Sequence, residues 1–165
     1  MNLQPPSAHP PREAVLADEA VELRLIRVLH PGDAAARPPE ARFLSAALEY
    51  RFAIHRRTDG LRVGRIHLRV TDDPLIVRAL GHSGYEVDEP HRRNGYATRA
   101  IRLVARLARV CGVAPLWVLI EPHNVASRRA VERAGFTLVD VVDTLPEGTA
   151  MGLGPQVCRY TIADP

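Results

Sequence analysis

The stretch Tyr85–Cys111, YEVDEPHRRNGYATRAIRLVARLARVC, places the strongest constraint on this chain. An extended apolar segment ends at Val87, Pro90 punctuates a turn, and Arg92-Arg93-Asn94-Gly95-Tyr96-Ala97-Thr98 leads into a helix. A strand that empties through a glycine-bearing loop into a helix start is an anion site for three reasons. The first-turn N–H groups have no intrahelical acceptor. The helix dipole places about half a positive charge there. Gly95 has no Cβ, so a ligand can come close to the main chain. Together these make a cradle for a phosphate or diphosphate, with Arg92 and Arg93 adding fixed charge at its lip. The bland alternative is a helix start that carries a glycine and an arginine and binds nothing. No Gly-Lys-Ser/Thr follows, and only one glycine of the dinucleotide fingerprint is present, so neither of those phosphate loops is intended.

The rest of the chain supplies strands and two more helices. Val21 to Leu29 alternates apolar and polar residues and predicts a strand. Pro38 and Pro39 open a short helix reaching Leu48. Tyr50 to Arg56 and Arg62 to Val70 read as hairpin partners around Thr58-Asp59-Gly60. Asp72 to Leu80 reads as a connection, Gly81 to Val87 as the strand feeding the loop, and Asn94 to Val110 as the central helix. That helix has an apolar face of Ala97, Ile101, Val104, Ala108 and Cys111. Leu116 to Ile120 is a continuous apolar run, as in a buried parallel strand. Val125 to Ala134 reads as a helix closed by Gly135. Phe136 to Asp143 is a strand, Thr144 to Pro155 a glycine-rich loop that stays mobile until a ligand arrives, and Val157 to Ile162 the last strand. The alternation of strand and helix in the middle predicts right-handed crossovers and neighbouring parallel strands.

Length and composition bound the answer. At 165 residues, 46% hydrophobic and 25% charged, the chain suits one soluble domain with a real core. Residues 1–20, with four prolines, read as a flexible N-terminal arm, and 21–165 as a single domain. There is no apolar run long enough to span a membrane and no secretory pattern. Cys111 and Cys158 fit neither a disulfide framework nor a metal site, and read as buried small hydrophobes in a reducing cytoplasm. No metal is expected. All 22 basic residues are Arg, which fits a compositional bias better than a nucleic-acid partner.

Two anchors resemble the GNAT superfamily of acetyl-CoA-dependent N-acetyltransferases. Arg92, Gly95 and Ala97 fit that family's R/Q-x-x-G-x-G/A diphosphate loop. About thirty residues on, Glu121-Pro122-His123-Asn124-Val125-Ala126-Ser127 and Glu132-Arg133-Ala134-Gly135-Phe136 resemble the closing half of its core. The likeness covers roughly Leu61 to Ala163. It is nearest the Rim-type branch and related uncharacterised bacterial members. The resemblance implies a mixed, mostly antiparallel α/β sheet of about seven strands, splayed in the middle, with helices on both faces. It implies acetyl-CoA as cofactor, held by Val87, Asp88, Arg92, Arg93, Asn94, Gly95, Tyr96, Ala97, Thr98, Asn124 and Ser127. The pantetheine arm would pair with free main-chain groups of Glu86, Val87 and Asp88, as an added strand does. A primary amine, on a small molecule or a peptide, would then attack the thioester directly.

Proton transfer is less well marked. His82, Glu86 and Glu121 are the candidate bases by position. Alternation puts His82 and Glu86 on one face of their strand, and a bulge there would scramble that inference. Many family members use a tyrosine seven residues beyond the asparagine to protonate the thiolate; here that position is Val131. Ser127 is the alternative donor, or only a helix-start hydrogen bond. The acceptor cleft is expected between the Pro38–Leu48 helix, the Asp72–Leu80 connection and the Thr144–Pro155 loop. A sheet edge near the C-terminus would allow a homodimer. Two other readings stand beside the enzyme: a non-catalytic acyl-CoA sensor on the same fold, and a nucleic-acid module using Arg99, Arg102, Arg106 and Arg109. No aromatic residues interleave with that arginine stripe, so a solvated helix face is the simpler account.

Overall fold

The computed structural model describes residues 10–11 and 16–163. Three antiparallel strands come first: β1 (Val21–Leu29), β2 (Leu48–Arg56) and β3 (Arg62–Val70). The β2–β3 turn is held by Asp59, which pairs with Arg56 and accepts the Leu61 N–H, while Gly60 supplies φ +70°. Two short 3-10 segments, Ala34–Ala36 and Pro39–Ala46, lie between β1 and β2. Helix α1 (Pro74–Leu80) leads to β4 (Ser83–Val87), and a 3-10 turn at Glu89–His91 leads to α2 (Tyr96–Val110). The chain closes with β5 (Leu116–Ile120), α3 (Val125–Ala134), β6 (Thr137–Asp143), α4 (Pro146–Ala150) and β7 (Gln156–Ile162).

The seven strands form two sheets, ordered β1-β2-β3-β4 and β5-β7-β6. They touch at one place. Gly81 bridges Val118, and the His82 N–H donates to the Trp117 carbonyl at 2.8 Å. From there β4 continues with β3 and β5 with β7, so the gap between β4 and β5 opens along their length. Gly81 permits the contact: a Cβ there would stand 2.8 Å from the Trp117 carbonyl oxygen, at a φ of +69°.

A single core fills the space under both sheets. Helix α2 presents Ala100, Ile101, Leu103, Val104, Leu107 and Ala108, all buried, and they cluster with Tyr50, Phe52, Ile66 and Leu68 of the first sheet and Val118 and Tyr160 of the second. Truncating one of these, Leu107 for instance, costs about 2–5 kcal/mol. Tyr50 and Phe52 point toward α2, so Glu49 points away from it. There Glu49 meets the buried Arg37 and Arg69, both at 3.2 Å, and the half-exposed Arg51 at 2.6 Å. Burial pushes Glu49 up, but the fields of Arg69 and His67 and the hydrogen bond from Arg51 outweigh it and bring it to about 2. A smaller apolar cluster (Ala41, Leu44, Ala47, Ile76) covers this second face.

Several expectations are corrected. All described strand pairings are antiparallel, including those of β5, so the parallel neighbours expected in the middle are absent among them. Asp72–Leu80 is more than a connection: Asp73 accepts the N–H groups of Leu75 and Ile76 and caps α1, with Pro74 in its first turn. The Thr144–Pro155 segment contains α4, and its Gly148 is buried, where a Cβ would lie 2.7 Å from the Ala79 carbonyl oxygen. That glycine serves a close packing contact with α1. β4 keeps an unbroken register on β3, with no bulge. Of the N-terminal arm, 1–9 and 12–15 lie outside the described residues. Leu16 to Ala20 packs on the domain: Ala17 bridges Glu22, and Asp18 pairs with Arg99 at 3.1 Å. None of the helices among the described residues is long and apolar enough to cross a membrane.

Candidate active site

A cavity of about 790 Å³ lies where β4, the head of α2 and the first turns of α3 face one another. Its wall includes Glu86, Val87, Arg92, Arg93, Gly95, Tyr96, Ala97 and Thr98 from the expected loop, and Asn124 and Ser127 from the second anchor. The two anchors therefore meet in one hollow. Asp88 and Asn94 are absent from that wall. The Asn94 amide is turned back on its own loop, donating to the carbonyls of His91 and Arg92, each at 3.0 Å.

The head of α2 is built to leave its N–H groups free. The first helical bond runs from the Arg99 N–H to the Gly95 carbonyl, and Gly95, as cap, has no side chain to satisfy the turn. Tyr96, Ala97 and Thr98 thus carry main-chain donors without helical acceptors. Gly95 is left-handed, at φ +77° and ψ 3°, and the helical Tyr96 follows; this alternation aims successive N–H groups into one concavity. A Cβ on Gly95 would meet no protein atom within 4 Å. Arg93, at φ +64°, is the one non-glycine with positive φ among the described residues. Such a conformation costs on the order of 1–3 kcal/mol and is found where surrounding structure enforces it. These features fit a diphosphate.

The edge of β4 supplies a different set of groups from those expected. The Asp88 N–H donates to the Val63 carbonyl at 2.9 Å, and the Arg69 N–H to the His82 carbonyl at 2.7 Å. With the unbroken register, Asp88, Glu86 and Gly84 spend their main-chain groups on β3, while Val87, Tyr85 and Ser83 direct theirs to the gap. The expectation of free groups on Glu86 and Asp88 is therefore wrong. The Val87 carbonyl already accepts from Arg92 Nε at 3.1 Å, which straps the loop to the strand end.

The candidate proton carriers are dispersed. His82 is buried, and both of its ring nitrogens are engaged. Nδ1 accepts the Trp117 N–H at 2.9 Å, so the proton is on Nε2, 3.3 Å from the Thr71 carbonyl. Burial, offset in part by the Thr71 contact, lowers it to about 4. The expected base is thus held neutral outside the cavity wall, as a latch between the two sheets. Glu86 lies on the wall and pairs with Arg65 at 2.6 Å. Glu121, just past β5, accepts the Gly154 N–H through Oε1 and faces His123 at 3.4 Å through Oε2. The Ser127 N–H donates to Asn124 Oδ1 at 3.1 Å, so Asn124 caps α3. Val131 is fully buried in the core.

Several wall residues escaped the sequence reading. The Tyr85 phenol crosses from β4 to donate to the Ser127 carbonyl at 3.0 Å, and burial raises it to about 12. Ala126, Arg129, Ala130 and Arg133 form one face of α3. Their i, i+3, i+4, i+7 spacing, counted on from Ala126, was the available signal.

The sequence model of the acetyltransferase (GNAT) domain matches residues 5–137. The chain belongs to the GNAT acetyltransferase family. A curated relative, the uncharacterised N-acetyltransferase YycN of Bacillus subtilis (strain 168), is 37% identical over 54 residues, which are 33% of this chain and 35% of that protein. The match thus spans about a third of that relative's length. Among solved structures, the ribosomal-protein-S5-alanine acetyltransferase of Vibrio fischeri superposes with a TM-score of 0.60 at 14% identity, covering 90% of this chain and 95% of the other. The spermidine N-acetyltransferase of Vibrio cholerae, in complex with CoA and spermine, gives 0.58 at 13% identity, covering 89% and 97%. At these identities the likeness to the GNAT acetyltransferases of known structure is one of fold.

Proposed function

We propose that this GNAT protein is an N-acetyltransferase that uses acetyl-CoA to acetylate a primary amine by direct attack in a ternary complex. The observation that carries the reading is the cavity joining the uncapped head of α2 to the open edge of β4. When bound, the donor supplies an acetyl group activated as a thioester. The N–H groups of Tyr96, Ala97 and Thr98, with Arg93, would hold the diphosphate. Tyr85 and Val87, whose main-chain groups face the gap, would hold the pantetheine arm. Asn124 keeps the head of α3 in place beside it.

The Val87 N–H is the donor placed to meet negative charge developing on the acyl oxygen; loss of such a donor costs about a hundredfold or more in rate. Holding amine and acyl group together removes several kcal/mol of entropy from the barrier. With His82 engaged at both nitrogens, Glu86 and Glu121 are the carboxylates left to take the ammonium proton, directly or through water. Ser127, on the cavity wall, would be the hydroxyl able to protonate the leaving thiolate. The acceptor is a small-molecule or peptide amine approaching from the face opposite α2.

The buried Val131 favours one other reading, a sensor that binds acyl-CoA without turnover. A thiol-release assay across amine classes separates the two. Acetyl-CoA should raise the melting temperature, and CoA thiol should appear with the right amine. Binding without release on any amine supports the sensor, and no binding removes both. If Glu86 or Glu121 is the base, its glutamine variant should lose turnover while keeping acetyl-CoA affinity.

A further inference from the structure

We propose that Arg129 and Arg133 form a second phosphate subsite, which reads the 3′-phosphate of CoA and makes the enzyme discriminate against donors lacking it. The inference rests on the donor assignment above and concerns a different part of the same cavity.

The charge balance of the wall motivates it. Four arginines, Arg92, Arg93, Arg129 and Arg133, face one carboxylate, Glu86. Glu86 is already paired with Arg65, and Arg92 is committed to the Val87 carbonyl. The diphosphate is served by the main-chain donors of α2 together with Arg93. That leaves Arg129 and Arg133, exposed, four residues apart and on the same side of α3. Like charges at this spacing repel and weaken a helix, so the pair is a cost unless an anion lies between them. No acidic partner of either guanidinium is seen among the described residues. The neighbouring Glu132 is turned away, accepting the Tyr160 hydroxyl at 2.7 Å, and Arg128 is spent on Tyr160 at 3.0 Å and the Pro122 carbonyl at 3.1 Å.

Position selects the ligand. Helices α2 and α3 are joined by the Arg102 guanidinium, which donates to the Arg133 carbonyl, so the second cationic pair lies beside the first anion site. The pantetheine arm leaves the diphosphate in the other direction, along β4. On the adenosine side a CoA molecule carries one further dianion, the phosphate on its ribose. Two guanidiniums bind such a group by charge-assisted hydrogen bonds, the strong class of these contacts.

The test is calorimetric binding of CoA and of 3′-dephospho-CoA to the full-length protein and to the Arg129→Gln/Arg133→Gln double variant. The wild type should prefer CoA by about tenfold or more, the scale of one charge-assisted contact. The variant should bind CoA no better than the wild type binds 3′-dephospho-CoA, and its affinity for 3′-dephospho-CoA should be unchanged. The wild-type preference should shrink as salt is raised. Equal binding of the two ligands by the wild type overturns the subsite and leaves the donor assignment standing. Equal losses for both ligands in the variant overturn it too, since the arginines would then serve the cavity in general. If neither ligand binds the wild type, the donor assignment falls and the subsite with it.

Discussion

His82 accepts the main-chain N–H of Trp117 on its Nδ1 at 2.9 Å, so one imidazole ties the start of β4 to β5 across the gap. That bond requires an unprotonated Nδ1. Burial favours the neutral ring, and His82 sits at about 4 against an ordinary value of 6.5. The unfolded chain therefore binds the proton more readily between these values. Stability rises with pH across that window, is complete above the unfolded value, and is lost as pH falls through about 4. Urea unfolding at about pH 5 and about pH 7 should show the wild type weaker at the lower pH, and His82→Gln should reduce that difference. His67, lowered to about 3 by burial and the field of Arg69, contributes with the same sign and leaves a residual slope. An undiminished slope in His82→Gln would mean that this histidine is not the group held neutral.

Gly81 makes the same junction from the other side. A Cβ at this position would lie 2.8 Å from the Trp117 carbonyl oxygen and 3.1 Å from the Leu119 side chain, at a φ of +69°. The nearest obstacle is main chain, which cannot swing aside. Gly81→Ala should lose about 2 kcal/mol or more, combining left-handed strain with displacement of the two strands. CoA binding should weaken as well, because the splay of β4 and β5 is set at this point. Wild-type thermal stability in Gly81→Ala would show that the sheets can part there without penalty.

Much of this was legible in the chain, for identifiable reasons. β1 alternates, β3 follows a hairpin signal, β5 is a continuous apolar run and α3 has helical spacing, and they end at strong punctuation, such as Gly135, which adopts φ +103° as the helix cap. The head of α2 was legible because its chemistry is main-chain chemistry, announced by Gly95. α1 was not, because Asp73-Pro74 is at once a turn signal and a helix start, and seven residues give too little periodicity to decide. Gly148 looked like mobility, but its lack of a side chain serves the contact with Ala79. The direction of the β4 main-chain groups depends on which strand pairs with which, and side-chain alternation is silent on that. His82 looked like a base for a similar reason: a histidine's partners decide its role, and here they are the main chain of Trp117 and Thr71.

Two contacts of Asn124 can be tested apart. Its Oδ1 caps α3 through the Ser127 N–H, and its amide N–H groups are the donors proposed for the pantetheine arm. Asn124→Asp preserves the cap, and adds charge that the helix dipole favours, but removes the donor. Asn124→Ala removes both. The alanine variant should therefore lose about 1 kcal/mol of stability and the aspartate variant little or none. Both should raise the Michaelis constant for acetyl-CoA. An aspartate variant with an unchanged Michaelis constant would assign Asn124 to the cap alone.

Gly95 is the most direct test of the anion cradle. Unlike Gly81, it faces open space: a Cβ would meet no protein atom within 4 Å, so the fold itself offers no steric objection. The only internal cost of Gly95→Val is a β-branched residue at φ +77°, on the order of 1–3 kcal/mol. The space its side chain would enter is the part of the cavity bounded by Arg93, Tyr96 and Ala97, the proposed place of the diphosphate. The variant should remain folded with a modestly lowered melting temperature. It should lose CoA affinity by about a hundredfold, as the main-chain donors are screened from the ligand. Circular dichroism melts and calorimetric titration with CoA check the two halves separately. A folded Gly95→Val protein that binds CoA as tightly as wild type would place the diphosphate elsewhere.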